Sequence, residues 1–334
     1  MKTSSNQQAA TKNEHDDVTP AISVVIAAFC AERTIGDAIR SVLSQTFQNF
    51  ELIICDDGSE DGTAAVVTSF SDKRITLHRM AKNQGPGPAR DRAIACARGT
   101  WITFLDADDQ YEPERLDTLC LVANKYPNDL IADAVLDCHD TVAGLVPWGV
   151  VWDERRLTPL GAHVRTIKFE QFIGEERQLI QPFFRRELAM RLKASHGNKM
   201  NGEDVAFLFP FFAHGSVIRY VPRPMYLYRM TPGSLSTRNP KRFQLYREVF
   251  EEGRALFSGN ATAIAAIDAK IARIRQLECY QSFLSPLRAG RFATAARVFA
   301  EHPWVLGEFA KRVVHRIPFH MSRVMHRGKP RRVG

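Results

Sequence analysis

The 334-residue chain has no run of the ~18–20 apolar residues that a bilayer-spanning helix requires. Its best candidate, "ISVVIAAFCA" from Ile22 to Ala31, is too short and reads as a buried strand. The first 20 residues lack the apolar core of a signal peptide and read as a disordered segment. The six cysteines (Cys30, Cys55, Cys96, Cys120, Cys138 and Cys279) form no C-x-x-C pair, which speaks against a zinc or redox motif. They read as reduced core thiols of a cytosolic protein. Repeats and low-complexity tracts are missing. So are acidic residues past Glu308, where Lys311, Arg312, Arg316, Arg323, Arg327, Lys329, Arg331 and Arg332 stand alone. Those cations equal the formal net charge of +8, so residues 1–308 are neutral by subtraction. A neutral body with a basic tail, and no recognition motif beside it, does not point to nucleic acid.

What is present is 45% hydrophobic content, enough for a sizeable core. From Ile22 to Leu105, strand-like and helix-like segments alternate. "ISVVIAAF", "FELIIC", "ITLHRM" and "WITFL" read as strands. Between them, "TIGDAIRSVLSQ" (Thr34 at its N-cap), "GTAAVVTSF" and "PARDRAIACARG" (stopped by Gly99) read as helices. This alternation implies a doubly wound α/β sheet. Beyond it, "IADAVLDCHDTVAGLVPWGVVWD" carries strand-like runs, and "RRLTPLGAH" reads as loop. "QPFFRRELAMRL" reads as a strand or turn and then a helix. A helix starts near Asp204, and Pro210 is expected to kink or end it. Pro222 and Pro224 are expected to break "VIRYVPRPMYLYRM" into separate strands. From about Pro240 the chain reads as helical, with an apolar stripe from Ile264 to Leu284. The boundaries implied are 1–20, 21–238 and 239–334.

The chemistry concentrates in Asp106-Ala107-Asp108-Asp109. Three carboxylates in four residues do not belong in a buried strand, because each would carry a desolvation penalty. They therefore belong past a strand tip, at the edge where open α/β sheets bind ligands. Asp106 and Asp108 are two apart, so in extended chain they point the same way. Two hard oxygen donors suit Mg²⁺ or Mn²⁺ holding a diphosphate. Asp56-Asp57 end another strand, and Ala28-Phe29 a third. A carboxylate that accepts a base N–H and a ring that stacks on the base would make a nucleotide pocket. A turn with Asp capping the next helix is the plain alternative for "DDGSEDGT". In "KNQGPGPARDRAI", Gly85 and Gly87 approach a helix N-terminus that can meet phosphate, and Arg90 and Arg92 can offset its charge.

These stretches, "SVVIAAFCAERTIGDAIRSVLSQTFQNFELIICDDGSEDGT" and "NQGPGPARDRAIACARGTWITFLDADDQYEPERL", resemble the family-2 glycosyltransferases of GT-A fold. Overall likeness is to bacterial succinoglycan-type exopolysaccharide enzymes. The resemblance implies a mostly parallel sheet with a helical C-terminal extension. It implies an inverting transferase that moves a hexose, with glucose favoured, from a UDP-sugar to a lipid-linked oligosaccharide. It places Asp56 against the uracil and Phe29 beside the base, where the family usually has Tyr. It places Ala28, Glu32, Asp57, Asn83, Gly87, Arg90, Ala107 and Arg229 around the nucleotide-sugar. Asp106 and Asp108 become the metal pair, and Asp204, with Glu203 beside it, the general base. A helix N-cap is the structural alternative for Asp204. A nucleotidyltransferase or a non-catalytic nucleotide-sugar binder would share these acids. The basic tail, mixed with apolar residues from Phe309 to Val324, can lie on anionic lipid at the inner face of the plasma membrane, and a packed amphipathic end with a disordered tip is the plain alternative.

Overall fold

The computed structural model describes residues 19–141, 144–150, 164–176, 178–199, 201–230, 239 and 241–310. The readings made for residues 1–18, the loop at 155–163, "TPGSLSTR" and the tail from 311 lie outside that set. Two compact units emerge, Met1–Pro232 and Gly233–Gly334.

The first unit is built on one sheet. Strands β1 (Ile22–Ala28), β2 (Phe50–Asp56), β3 (Ile75–Arg79) and β4 (Trp101–Phe104) pair in parallel in the order β3-β2-β1-β4. Helices α1 (Ile35–Leu43), α2 (Thr63–Thr68) and α3 (Pro86–Cys96) make the crossovers, as the alternating sequence requires. After β4 come the short β5 (Gln110–Tyr111), α4 (Arg115–Lys125), the long β6 (Leu130–Thr141) and β7 (Gly144–Val150). Next are β8 (Arg165–Ile167), α5 (Phe169–Gly174), β9 (Phe183–Arg185), α6 (Arg186–Leu192), α7 (Glu203–Ala213) and β10 (Ile218–Arg229). The sheet continues β4-β9-β6-β10-β5, with β6 and β10 parallel and β9 inserted against β4 and β6. The strands β1 to β4, β6 and β10 therefore share one direction, and the small strands run against them. This is the doubly wound, mostly parallel architecture expected.

β1 and β2 are buried almost throughout because both faces are covered, hence their largely apolar runs, in which the buried Ser23 hydroxyl donates to Glu51. Ile35, Ala38, Ile39 and Val42 of α1 pack onto the same core as Val24, Leu52 and Leu116. Each such side chain stabilises by ~1.5–3 kcal/mol. The shared direction brings the tips of β1, β2 and β4 to one edge: Ala28 registers with Asp56, and the Leu105 N–H donates to the Val25 carbonyl.

Several local expectations need correction. Thr34 holds the N-cap position of α1, but its side chain does not cap. α3 begins at Pro86 and ends at Cys96, so Gly99 is not its stop. Gly99 is needed because a Cβ there would lie 2.6 Å from the Ser23 backbone nitrogen. α7 runs through Pro210 to Ala213, so the proline, close to the C-terminus, does not end it. β10 is one strand: register shifts beside Pro224 absorb the prolines as irregularities instead of breaks. Cys30 is exposed, not a core thiol.

The second unit is helical. It comprises α8 (Arg242–Gly253), a 3₁₀ turn (Arg254–Phe257), α9 (Ala261–Arg288) and α10 (Phe292–Glu301). Asn260 caps α9 by accepting the Ala263 N–H. Of its apolar stripe, Ile267, Ile271, Ile274, Tyr280 and Leu284 are buried. No helix among the described residues is long and apolar enough to cross a membrane.

Candidate functional site

The parallel half of the sheet delivers two acids at the tip of β2. The Asp56 carboxylate is sealed from solvent and accepts from the Ser59 N–H at 3.0 Å and from Arg79 Nε at 3.0 Å. Asp57 receives the N–H groups of Gln84 and Gly85 at 2.8 and 2.7 Å. It therefore holds the glycine-rich loop in front of α3, and Asn83 Oδ1 assists by accepting the same Gly85 N–H. Phe29, just past β1, is 48% exposed, so its ring stands free beside Ala28 and Asp56 at this edge. Cys30, with φ at 49°, donates its N–H to Ser59 Oγ and knits the two loops. Glu32 accepts the Gly62 N–H at 3.0 Å and so joins the loop after β1 to the loop before α2.

After Leu105 the chain does not stay extended. The Asp109 N–H closes back on the Asp106 carbonyl at 3.0 Å, a β-turn with Ala107 and Asp108 at its centre. The extended-chain reason for pairing Asp106 with Asp108 is thus replaced by a turn. The two remain close enough to interact: burial first, then the charge of Asp106, pushes the Asp108 carboxyl up to about 6. Asp109 is fully buried and serves the scaffold. It accepts from Tyr226 Oη and from the Arg229 N–H, both at 2.7 Å. Burial and the neighbouring acids raise its pKa well above the usual carboxylate range. Tyr226 Oη also accepts the Asp106 N–H, so one phenol bolts both ends of the turn to β10.

Arg90 joins this turn to α7. Its guanidinium donates to Asp106 at 2.7 Å and to Asp204 at 2.6 Å, with Glu203 at 3.5 Å. Burial alone would lower the Arg90 pKa, but the three carboxylates outweigh it and raise it. Burial and the charge of Asp204 lift the Glu203 carboxyl to about 7. Asp204 makes no capping bond at the start of α7, where Gly202 holds the N-cap. Its side chain is 51% exposed, so the arginine side is satisfied while the rest faces solvent.

The neighbouring Asp91 secures the approach to α7. It accepts from Ser195 Oγ and from the His196 and Gly197 N–H groups, and it bonds His196 Nδ1 at 2.8 Å. His196 stacks on Phe207 with ring centroids 4.3 Å apart. Gly87 belongs to this clamp, because a Cβ there would come within 2.4 Å of the Gly197 carbonyl oxygen. Its lack of a side chain is a packing requirement. Arg229 is likewise engaged. It donates from Nε to the Asp108 carbonyl at 2.7 Å and pairs with Asp140 at 2.6 Å and Asp37 at 3.5 Å.

Sequence reasoning missed three contributors. Gln181 donates to the second Asp106 oxygen at 3.0 Å, Asp91 clamps the loop, and Tyr226 ties down the turn. Their partners lie 75 to 120 residues away, so no spacing rule could find them. Among the described residues, no three His, Cys, Asp or Glu side chains gather into a metal cage. Asp106 and Asp108 still fit a hard divalent ion. They are two close oxygen donors on a turn, and the ion's remaining ligands would have to come from a bound diphosphate or water. The Asp108 carboxylate has no basic side chain paired with it among the described residues, so it is available as a donor.

The profile for "Glycosyl transferase family 2" matches residues 23–174. The succinoglycan biosynthesis protein ExoO of Rhizobium meliloti is 42% identical over 100 residues, which is 30% of this chain and 29% of that protein. The Escherichia coli enzyme WfgD, named as a UDP-Glc:alpha-D-GlcNAc-diphosphoundecaprenol beta-1,3-glucosyltransferase, is 42% identical over 96 residues. That match covers 29% of this chain and 38% of WfgD, so both similarities are confined to part of the relative. The crystal structure of S. aureus TarS 1-349 in complex with UDP-GlcNAc superposes with a TM-score of 0.57 at 17% identity. It covers 84% of this chain and 91% of that one, and supports the GT-A fold alone. With the matched residues spanning β1 to α5, the chain carries a family-2 glycosyltransferase domain over residues 23–174, built on a sheet of GT-A fold.

Proposed function

We propose that this glycosyltransferase moves glucose, or a similar hexose, from UDP to a lipid-diphosphate-linked saccharide, with inversion, during exopolysaccharide assembly. The observation that carries the reading is Arg90, whose one guanidinium reaches both the turn acid Asp106 and the helix acid Asp204. It sets the place for a leaving diphosphate within one side chain's reach of a proton acceptor. The names of ExoO and WfgD support the pathway and the donor.

Phe29 offers a face for the uracil, and Asp56 can accept a base N–H once Arg79 swings off its Oδ2. Mg²⁺ or Mn²⁺ held by Asp106 and Asp108 would supply Lewis-acid stabilisation to the departing diphosphate. Arg90, released from Asp106, turns its cationic N–H groups to the same phosphates. Asp204 then loses its arginine partner and takes the acceptor hydroxyl's proton as that oxygen attacks. Attack opposite the leaving group gives a β-linkage from an α-linked donor. Asp57, Asn83 and Gly87 act through the loop they shape, and Arg229 through the turn it steadies. The basic segment from Lys311 sits against anionic lipid at the inner face of the membrane, where such acceptors reside.

The test is an assay of UDP-glucose, Mn²⁺ and a lipid-diphosphate-linked saccharide, reading UDP release and product linkage. UDP released only with acceptor and metal present supports the reading. Pyrophosphate instead of UDP, or binding without turnover, overturns it.

A further inference from the structure

The helical unit leaves an apolar face uncovered. Phe292 is 67% exposed, Phe299 37%, Trp304 41% and Leu306 45%. Phe292, Ala296 and Phe299 follow the i, i+4, i+7 spacing, so they share one side of α10. Exposed Ala300 widens that side. The helix docks through Ala295, which is buried with Tyr280, Phe283, Leu284 and Val305 and lies three and four positions from Phe292 and Phe299. The two aromatic rings are therefore the exposed margin of the docked side. Trp304 and Leu306 are exposed just past the end of the helix.

The charges around it are of one effective sign. Arg288 and Arg291 stand at the turn between α9 and α10, and Arg297 borders the stripe. Glu301 lies about 200° round the helix from Phe299, on the far side. Glu308 is neutralised by Arg273 at 2.9 Å. Beyond it the sequence adds eight cations and no acid. Aromatic and aliphatic side chains flanked by arginine are the composition of a helix that lies in a lipid headgroup layer.

We propose that the Phe292–Phe299–Trp304 face inserts into the headgroup region of an anionic bilayer. The inference deepens the membrane reading given above for the basic segment. It assigns the insertion to three aromatic residues of the folded unit, with the cations selecting the lipid. Binding of lipid is measured without any sugar donor, so its failure would leave the transferase reading standing.

The experiment uses the full chain and flotation with vesicles of three parts phosphatidylcholine to one part phosphatidylglycerol, against phosphatidylcholine alone. The wild type is expected to float with the anionic vesicles only. The triple variant Phe292→Ser/Phe299→Ser/Trp304→Ser is expected to lose on the order of tenfold or more in partitioning while keeping its thermal midpoint, since it removes exposed apolar area. Brominated lipid should quench the wild-type tryptophan emission, and the Trp304→Phe variant should lose that quenching while still floating. Unchanged flotation of the triple variant would overturn the proposal and leave the basic segment as the anchor. So would a wild-type dimer that the same substitutions turn into monomer without any vesicle binding. Absence of Trp304-dependent quenching overturns it even should the triple variant misfold.

Discussion

Two buried arginines in the same unit invite comparison. Arg115 meets Asp133 at 2.9 Å with both side chains sealed, and donates also to Thr103 and the Gln181 carbonyl. The Tyr111 ring closes over it at 4.2 Å. Arg90 is almost as buried, yet its partners Asp106 and Asp204 are 27% and 51% exposed. Each of the three Arg115 guanidinium nitrogens finds a partner inside the core, and its ion-pair partner Asp133 is sealed from solvent. Arg90 ties together two acids that each keep a face toward solvent. A strong ion pair is therefore no sign of a site by itself. The decisive property is whether its carboxylates retain oxygens that a ligand can approach.

That contrast can be broken by mutation. The largest effect expected is on activity at the open cluster. Asp204→Asn should lower the transfer rate by ~10²–10⁴-fold, the usual worth of a general base, while UDP binding persists. Transfer near the wild-type rate would remove Asp204 from the mechanism. Next comes Asp133→Ala at the sealed pair. It leaves the Arg115 charge buried and unpaired, and chemical denaturation should show a loss of about 3–5 kcal/mol. Replacing both partners, Arg115→Met with Asp133→Leu, should recover most of that loss, which would mark the pair as scaffold.

A smaller effect is expected for Arg90→Gln. With Arg90 lodged on Asp106, Mn²⁺ should bind the wild type weakly without nucleotide. The variant should bind Mn²⁺ alone on the order of tenfold more tightly by electron paramagnetic resonance, because an opposing charge close to a carboxylate has been removed. Equal affinity would mean that Arg90 does not compete with the ion. The smallest effect concerns Glu203, whose carboxyl is raised from 4.5 to about 7. The folded state holds a proton that the unfolded chain gives up, so this group's contribution to stability falls as pH rises between those values. Glu203→Gln should flatten that decline, read from unfolding curves at pH 5 and pH 8. Parallel curves for variant and wild type would refute the assignment.

The legible part of the fold was the part written in local periodicity. β1, β2 and β4 show as largely apolar runs because both faces are covered. Asp56 and Asp106 show because acids cannot continue such runs. β10 was harder: its prolines read as breaks, whereas the sheet absorbs them at register shifts that only strand pairing defines. Nothing in "PARDRAI" singles out Asp91, because its part in clamping Ser195–Gly197 depends on a loop 104 residues away. Asp109 looked equivalent to Asp106 and Asp108. Its burial against Tyr226 and Arg229 separates it from them and makes it scaffold.

By itself the sequence determined the alternating α/β order, the acids past the strand ends and the concentration of positive charge beyond Glu308. Each follows from side-chain spacing or the cost of burying charge, which act between near neighbours. The tertiary structure alone decided that Asp106, Glu203 and Asp204 share the Arg90 guanidinium. It also decided that Arg229 braces the turn, and that the aromatic side of α10 stays uncovered. Those outcomes depend on strand order and helix docking, which bring together groups that the chain separates by a hundred residues or more, and no local preference encodes that meeting.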